Sequence, residues 1–143
     1  MTEGLGDGPL LADTSAWSRA GAPSVSAAWT SALARRALLV TPPVSLELLY
    51  SATDRHELGR VEDAIADLRS IPLTQAVARA ALGAMRELGD VQPGYHRVPV
   101  ADYLVAAAAQ EAGVGVLHYD RHFDRLAEVL EFDSVWLGPP GSL

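Results

Sequence analysis

Lysine and cysteine are both missing from this chain. Without cysteine there can be no disulfide framework, no thiolate zinc site and no cysteine nucleophile. All eleven basic residues are arginine, so any mechanism that needs a catalytic or phosphate-binding lysine is closed, while arginine can still clamp a phosphate with two N–H groups. Positive charge is scarce overall. The formal net charge of −7 argues against broad electrostatic attraction to nucleic acid, which leans on Lys and Arg, although it leaves room for a local contact. The apolar runs fall well short of a membrane span, and Met1-Thr2-Glu3-Gly4 has neither the basic start nor the apolar core of a signal peptide. The expectation is a soluble, cytoplasmic protein.

At 143 residues with 49% hydrophobic content, the chain suits one domain over 1–143, with a flexible arm at 1–8 and a tail at 138–143. Gly4-Leu5-Gly6-Asp7-Gly8 resembles a dinucleotide loop, but its glycines precede the first strand instead of following it, so the phosphate cradle is missing. The organising stretch is Pro9-Leu10-Leu11-Ala12-Asp13-Thr14-Ser15-Ala16-Trp17: a short apolar strand that ends in a carboxylate and two hydroxyls and turns into a helix. A helix over 24–36, capped by Ser24 or Ser26, leads to a strand at 37–41, and Pro42-Pro43 opens the helix that carries Glu47. A charged surface helix follows over 54–69 and an edge-strand candidate at Ile71-Pro72-Leu73. A helix over 74–88 then ends at Gly89. Pro99 to Ala109 is a helix apolar almost all round, closed by Gly113, with Asp102 in its first turn. Val116 to Tyr119 is a strand, Asp120 opens a helix through Leu130, and Ser134 to Leu137 is the last strand. This alternation predicts an α/β fold with a mainly parallel sheet covered on both faces.

Four acids stand where such a fold presents a site: Asp13 after the first strand, Glu47 in the helix after the second, Asp102 at the start of the buried helix, and Asp120 after a later strand. Each has a structural role available to it. Asp13 and Asp120 suit helix N-caps, Asp102 complements a helix dipole, and Glu47, set between leucines on a face that cannot point cleanly to water, suits a half-exposed residue. Right-handed parallel crossovers, however, bring the carboxyl ends of the strands to one edge, and carboxylates gathered there repel unless protons or a cation neutralise them. Oxygen donors without cysteine or a histidine pair point to Mg²⁺ or Mn²⁺. Such an ion acidifies bound water and neutralises charge on a phosphoryl group, the chemistry of phosphodiester hydrolysis.

At these residues the sequence resembles a known family. Leu11-Ala12-Asp13-Thr14-Ser15-Ala16-Trp17, Ser45-Leu46-Glu47-Leu48-Leu49-Tyr50-Ser51, Val100-Ala101-Asp102-Tyr103-Leu104-Val105-Ala106 and His118-Tyr119-Asp120-Arg121-His122-Phe123-Asp124-Arg125-Leu126 are similar to the four acidic motifs of PIN-domain ribonucleases, in order and spacing over essentially the whole chain. Within that family the resemblance is to the VapC toxins of type II toxin–antitoxin (VapBC) modules. It implies a three-layer α/β/α domain with a five-stranded parallel sheet, Mg²⁺- or Mn²⁺-dependent endoribonuclease activity on RNA, a homodimer, and a heterotetramer or larger assembly with a VapB antitoxin. By position it implies Asp13 and Asp102 as direct metal ligands, with Glu47 and Asp120 completing the catalytic pocket and Asp120 also available to the metal. Thr14, Ser15 and Asp124 would support them, and Arg121 and Arg125 would contact RNA. His118 departs from the family, which carries a small hydroxyl residue two positions before its fourth acid.

The remaining candidates have plainer readings. His118 suits a satisfied strand histidine, His122 and His56 carry no assigned chemistry, and Trp17, Trp29 and Tyr50 suit a core or dimer interface. Arg121 and Arg125 also suit a surface ion-pair ladder with Asp124 and Glu128. A receiver-like signalling domain would gather acids and Mg²⁺ at a sheet edge too, but it relies on a lysine that this chain lacks. The other alternative is a catalytically inactive PIN-like module that binds RNA or protein.

Overall fold

The computed structural model describes residues 5–6 and 8–143. The expected 1–8 arm and the Gly4–Gly8 loop therefore fall largely outside the described residues; Leu5, which is described, is buried. In chain order the elements are β1 (Leu10–Ala12), α1 (Thr14–Trp17), α2 (Ser26–Ala34), β2 (Leu38–Leu39), α3 (Pro42–Tyr50), α4 (Arg55–Ala66), α5 (Gln75–Val91), α6 (Val100–Ala112), β3 (Gly115–His118), α7 (His122–Leu126) and β4 (Ser134–Trp136).

The strands pair in the order β2-β1-β3-β4, all parallel, with Leu11 opposite Leu39 on one side and Val116 on the other, and Leu117 opposite Val135. Alternation along these strands divides the core between the two faces of the sheet. Leu11, Leu39 and Val116 face α5, α6, Phe123 and Leu126, whereas Leu10, Ala12, Leu38 and Leu117 face α1, α2 and Trp29. Helices cover both faces because each buries an apolar stripe, which gives the α/β/α layering. The alanine run Ala106 to Ala109 is fully buried, and its small side chains let α6 sit close to the sheet and to α5. Gly113 ends α6 in the left-handed conformation at φ 69°, a geometry with little strain only for glycine.

Several boundaries differ from the sequence expectation. Four strands form among the described residues instead of five. Where the fifth would lie, a single parallel bridge joins Val40 to Ser70, Ile71 donates to the Val40 carbonyl at 2.8 Å, and Pro72 has no N–H to continue the ladder. Helix α5 runs past Gly89 to Val91, since a glycine that keeps helical φ weakens a helix without ending it. Val25 caps α2 without a side-chain bond, so neither Ser24 nor Ser26 serves. Helix α7 stops at Leu126, well before Leu130. Trp17 and Trp29 pack edge to face at 5.0 Å, but Tyr50 is 92% exposed and belongs to no core. Among the described residues no helix is long and apolar enough to cross a membrane.

This topology explains how distant acids meet. Asp13 and Asp120 follow the carboxyl ends of β1 and β3. Helix α3 starts beyond β2 at that same edge, and α6, which must run back before feeding β3, presents its N-terminal turn there.

Candidate functional site

Asp13 ends β1 and caps α1 in an extended conformation. Its Oδ2 accepts the Ser15 backbone N–H at 3.0 Å and the Ser15 hydroxyl at 2.7 Å. The Ser15 Oγ in turn accepts the Tyr119 N–H at 2.9 Å, so one hydroxyl ties the end of β1 to the end of β3. Asp13 is only 4% exposed, and its other oxygen, Oδ1, is buried with no hydrogen-bond partner. The capping role and the site role thus both hold, each for a different oxygen of one carboxylate. Burial is the main force pushing the Asp13 carboxyl above its ordinary value; the Ser15 bonds oppose it and Glu47 adds to it.

Glu47 is exposed, contrary to the expectation from its leucine neighbours, because Leu46 beside it is itself 66% exposed. Thr14 Oγ1 donates to Glu47 Oε1 at 3.0 Å, linking α1 to α3. Asp102 is buried in the first turn of α6. Its carboxyl is pushed up to about 8, first by burial and then by the charges of Asp13, Asp120 and Glu47. Attraction to a helix N-terminus amounts to about 0.3–1 kcal/mol, too little to offset burial beside three like charges. Asp120 turns its Oδ1 back to the His122 N–H at 3.0 Å. Asp102 and Asp120 thus lie together with His122, the charges of Asp13 and Glu47 reach Asp102 from the same sheet edge, and among the described residues no arginine contributes to the shift of Asp13 or Asp102.

His122, which has no role in the motif pattern, is the residue that reasoning from motifs passed over. Its Nδ1 lies 3.0 Å from Asp120 Oδ1 and 3.3 Å from Asp102 Oδ2 without the alignment of a hydrogen bond to either. The signal that could have found it was its spacing, two residues after the fourth acid at the start of a helix that turns back on that acid.

Other candidates are engaged elsewhere. Asp124 accepts the Ser134 hydroxyl at 2.6 Å and the Trp136 indole N–H at 3.1 Å, which bind it to β4 and not to the acidic pocket. Arg125 stacks 4.2 Å over the Tyr95 ring and donates to the Tyr95 carbonyl at 3.2 Å, and Glu128 accepts from the Tyr95 hydroxyl, so the expected Arg–acid ladder is replaced by contacts to one tyrosine. Arg121 is exposed at the turn into α7. His118 is fully buried and held neutral, its ring pushed down to about 4 chiefly by burial.

The donor set fits a divalent cation. An orphaned buried carboxylate oxygen, a carboxyl pushed up by burial and by like charges around it, and ligand atoms of Asp102, Asp120 and His122 all within 4.8 Å of one another are what a positive charge would relieve. Comparison with known proteins agrees with this geometry. The family model described as PIN domain matches residues 10–129. Ribonuclease VapC18 of Mycobacterium tuberculosis is 36% identical over 132 residues, covering 92% of this chain and 96% of that protein. Ribonuclease VapC51 of the same organism is 35% identical over 133 residues, covering 93% and 96%. Among solved structures, a chain of DNA-bound VapBC from Salmonella typhimurium superposes with a TM-score of 0.73 at 17% identity, covering 90% of this chain and 98% of that one. A chain of VapBC-5 from Mycobacterium tuberculosis does so with 0.64 at 18% identity, covering 91% and 99%. With that match over most of its length, and with the acids of its four motifs gathered at one sheet edge, the chain belongs to the PIN-domain family and stands among its VapC members.

Proposed function

We propose that this protein is a divalent-metal-dependent endoribonuclease, the toxin of a type II toxin–antitoxin pair acting in the cytoplasm. The observation that carries the reading is the convergence of Asp13, Glu47, Asp102 and Asp120 on one sheet edge with, among the described residues, no arginine acting on Asp13 or Asp102. The ribonuclease names of relatives that align over most of the chain supply the substrate class.

Asp13 and Asp102 would hold Mg²⁺ or Mn²⁺, with Asp120 also available to it and Glu47 completing the acidic set from α3. When bound, such an ion neutralises charge on the phosphoryl oxygens and acidifies water at the site. Ser15 fixes one oxygen of Asp13 and leaves the other free, and Thr14 orients Glu47. Arg121, exposed at the turn into α7, meets an RNA phosphate. On α3, Leu46 and the 92% exposed Tyr50 line a shallow groove with Thr14, Glu47 and Ser51, an apolar surface next to the acids. That groove suits an antitoxin of the VapB kind, whose contact there would screen the pocket, within a homodimeric or larger assembly.

The test is RNA cleavage by the purified protein in Mn²⁺, Mg²⁺ or EDTA. Cleavage is expected with either ion, none with chelator, and a loss of about 100-fold or more in Asp13→Asn and Asp102→Asn, both still folded. Undiminished cleavage by both variants overturns the assignment, and absence of cleavage by the intact protein on total RNA favours an inactive binding module.

A further inference from the structure

The ring of His122 occupies a position that neither the acidic motifs nor the relatives' names account for. It is the first residue of α7, and its backbone N–H is bonded to the Asp120 carboxylate, so the turn fixes where the ring begins. Nδ1 is buried although the side chain is 35% exposed, and it points between two carboxylates from different elements, Asp102 of α6 and Asp120 after β3. A ring nitrogen that served only as a hydrogen-bond donor would align its N–H with one of those oxygens; this one aligns with neither. A separate feature at the pocket also asks for a cation: Asp13, 4% exposed, keeps Oδ1 without a partner and its charge acts directly on Asp102.

We infer that His122 Nδ1 is a nitrogen ligand of the metal site, and that this mixed oxygen and nitrogen donor set selects a first-row transition ion such as Mn²⁺ over Mg²⁺. The inference rests on the metal-dependent reading above. Mg²⁺ prefers oxygen and water in a strict octahedron, whereas imidazole is a good donor to transition ions, whose affinity rises along the series from Mn²⁺. An all-carboxylate pocket discriminates little between Mg²⁺ and Mn²⁺; one imidazole within 3.0–3.3 Å of the acids changes that. The neutral ring must supply its lone pair at Nδ1, which places the ring proton on Nε2.

Direct binding tests this without reference to catalysis. Mn²⁺ is titrated into the ion-free protein by electron paramagnetic resonance, with Mg²⁺ as competitor, and the bound Mn²⁺ is examined for nitrogen-14 coupling. The intact protein is expected to show that coupling and to bind Mn²⁺ at least about 10-fold more tightly than Mg²⁺. His122→Ala and His122→Gln should lose the coupling and about 10-fold to 100-fold of Mn²⁺ affinity, with Mg²⁺ affinity changed less than about 3-fold. Mn²⁺ binding that depends on Asp102 yet shows no nitrogen coupling in the intact protein overturns the inference and leaves the metal site standing. Absence of Mn²⁺ binding to the intact protein, or binding indifferent to Asp102→Asn, overturns both. Because the intact protein's spectrum decides, a variant that misfolds does not rescue the inference.

Discussion

The ring nitrogen Nδ1 of His118 accepts the backbone N–H of Asp120 at 3.1 Å. An acceptor at Nδ1 requires the ring proton to sit on Nε2, which lies 2.7 Å from the Ser134 hydroxyl; that hydroxyl in turn donates to Asp124 Oδ1. A single chain of bonds therefore runs from the backbone of an acid in the pocket to a carboxylate anchored on β4 by Trp136. His118 is also wedged between the Phe123 and Trp136 rings at 5.0 and 4.9 Å, so it can hardly tilt. A fully buried ring thus holds the backbone of Asp120 from within the sheet.

This makes His118 a positioning residue. His118→Leu fills the space but leaves the Asp120 N–H unpaired and the Ser134 hydroxyl with Asp124 as its one remaining partner, and should cost about 1–3 kcal/mol of stability. His118→Asn keeps an acceptor near the Asp120 N–H and should recover part of both stability and RNA cleavage. The split is expected in kcat more than in KM, because the substrate never touches His118. Equal kcat for the Leu and Asn variants, measured where both are folded, counts against the orienting role.

The ion-free protein should lose stability as pH rises from about 6.5 to about 8. Asp102, raised from 3.8 to about 8, binds a proton in the folded state that the unfolded state has released, so its contribution is complete below 3.8 and is lost on ascent through about 8. His118, lowered from 6.5 to about 4, works in the opposite sense: its folded neutral form costs stability as pH falls below 6.5. Between about 4 and 6.5 the two slopes oppose each other, and above 6.5 the Asp102 slope is no longer opposed by His118. Asp102→Asn should flatten the upper limb and raise stability at pH 8 by on the order of a few kcal/mol, seen as a higher Tm. Added Mn²⁺ should do likewise in the intact protein while releasing a proton. A Tm that is level between pH 6.5 and 8 without metal would refute the electrostatic picture.

The pocket was legible in the sequence because parallel topology is a strong constraint: once β1 and β3 are placed, Asp13 and Asp120 have one edge to share, and α6 must bring Asp102 to it. Local rules failed where side chains choose among several near-equal neighbours. Nothing in the spacing of Asp124 says that Ser134 and Trp136 will claim it, since β4 is too short and too far along the chain to be placed in register from pattern alone. Arg125 likewise finds Tyr95, thirty positions away, in preference to Glu128, three residues on and past the end of α7. Glu47 read as hemmed in by leucines because helical periodicity reports which face a residue shares and not whether that face is covered; Leu46 and Tyr50 are exposed with it. The fifth strand failed for a covalent reason at Pro72.

Ser15 carries a test of whether the strand ends are registered by a side chain. Its hydroxyl donates to Asp13 and accepts from the Tyr119 N–H, so Ser15→Ala breaks both bonds while α1 keeps its backbone cap from Asp13. The expected loss is about 1–3 kcal/mol in stability, the range for leaving a part-buried group unpaired. Mn²⁺ affinity should fall as well, because Asp13 is then held by the backbone N–H alone. Ser15→Thr, which retains the hydroxyl, should hold affinity; if it falls as far as the alanine variant, the hydroxyl is not what positions Asp13.

The two arginines of α7 and its leading turn should separate by function. Arg125 is committed to the Tyr95 ring and carbonyl, so Arg125→Ala should loosen the segment around 92–98, seen as faster amide exchange there, with little change in the salt dependence of RNA binding. Arg121 is exposed at the turn before α7, which leaves its guanidinium within reach of a phosphate. Arg121→Ala should weaken RNA binding evenly across sequences and reduce the slope of log K against log salt by about 0.7, the value for a single phosphate neutralised on one strand. Binding is measured in Ca²⁺ on the Asp102→Asn background so that cleavage does not intervene. Should Arg125→Ala alter the slope and Arg121→Ala leave it unchanged, the RNA path runs over the Tyr95 side of α7, and the strand enters the pocket from the direction opposite to Arg121.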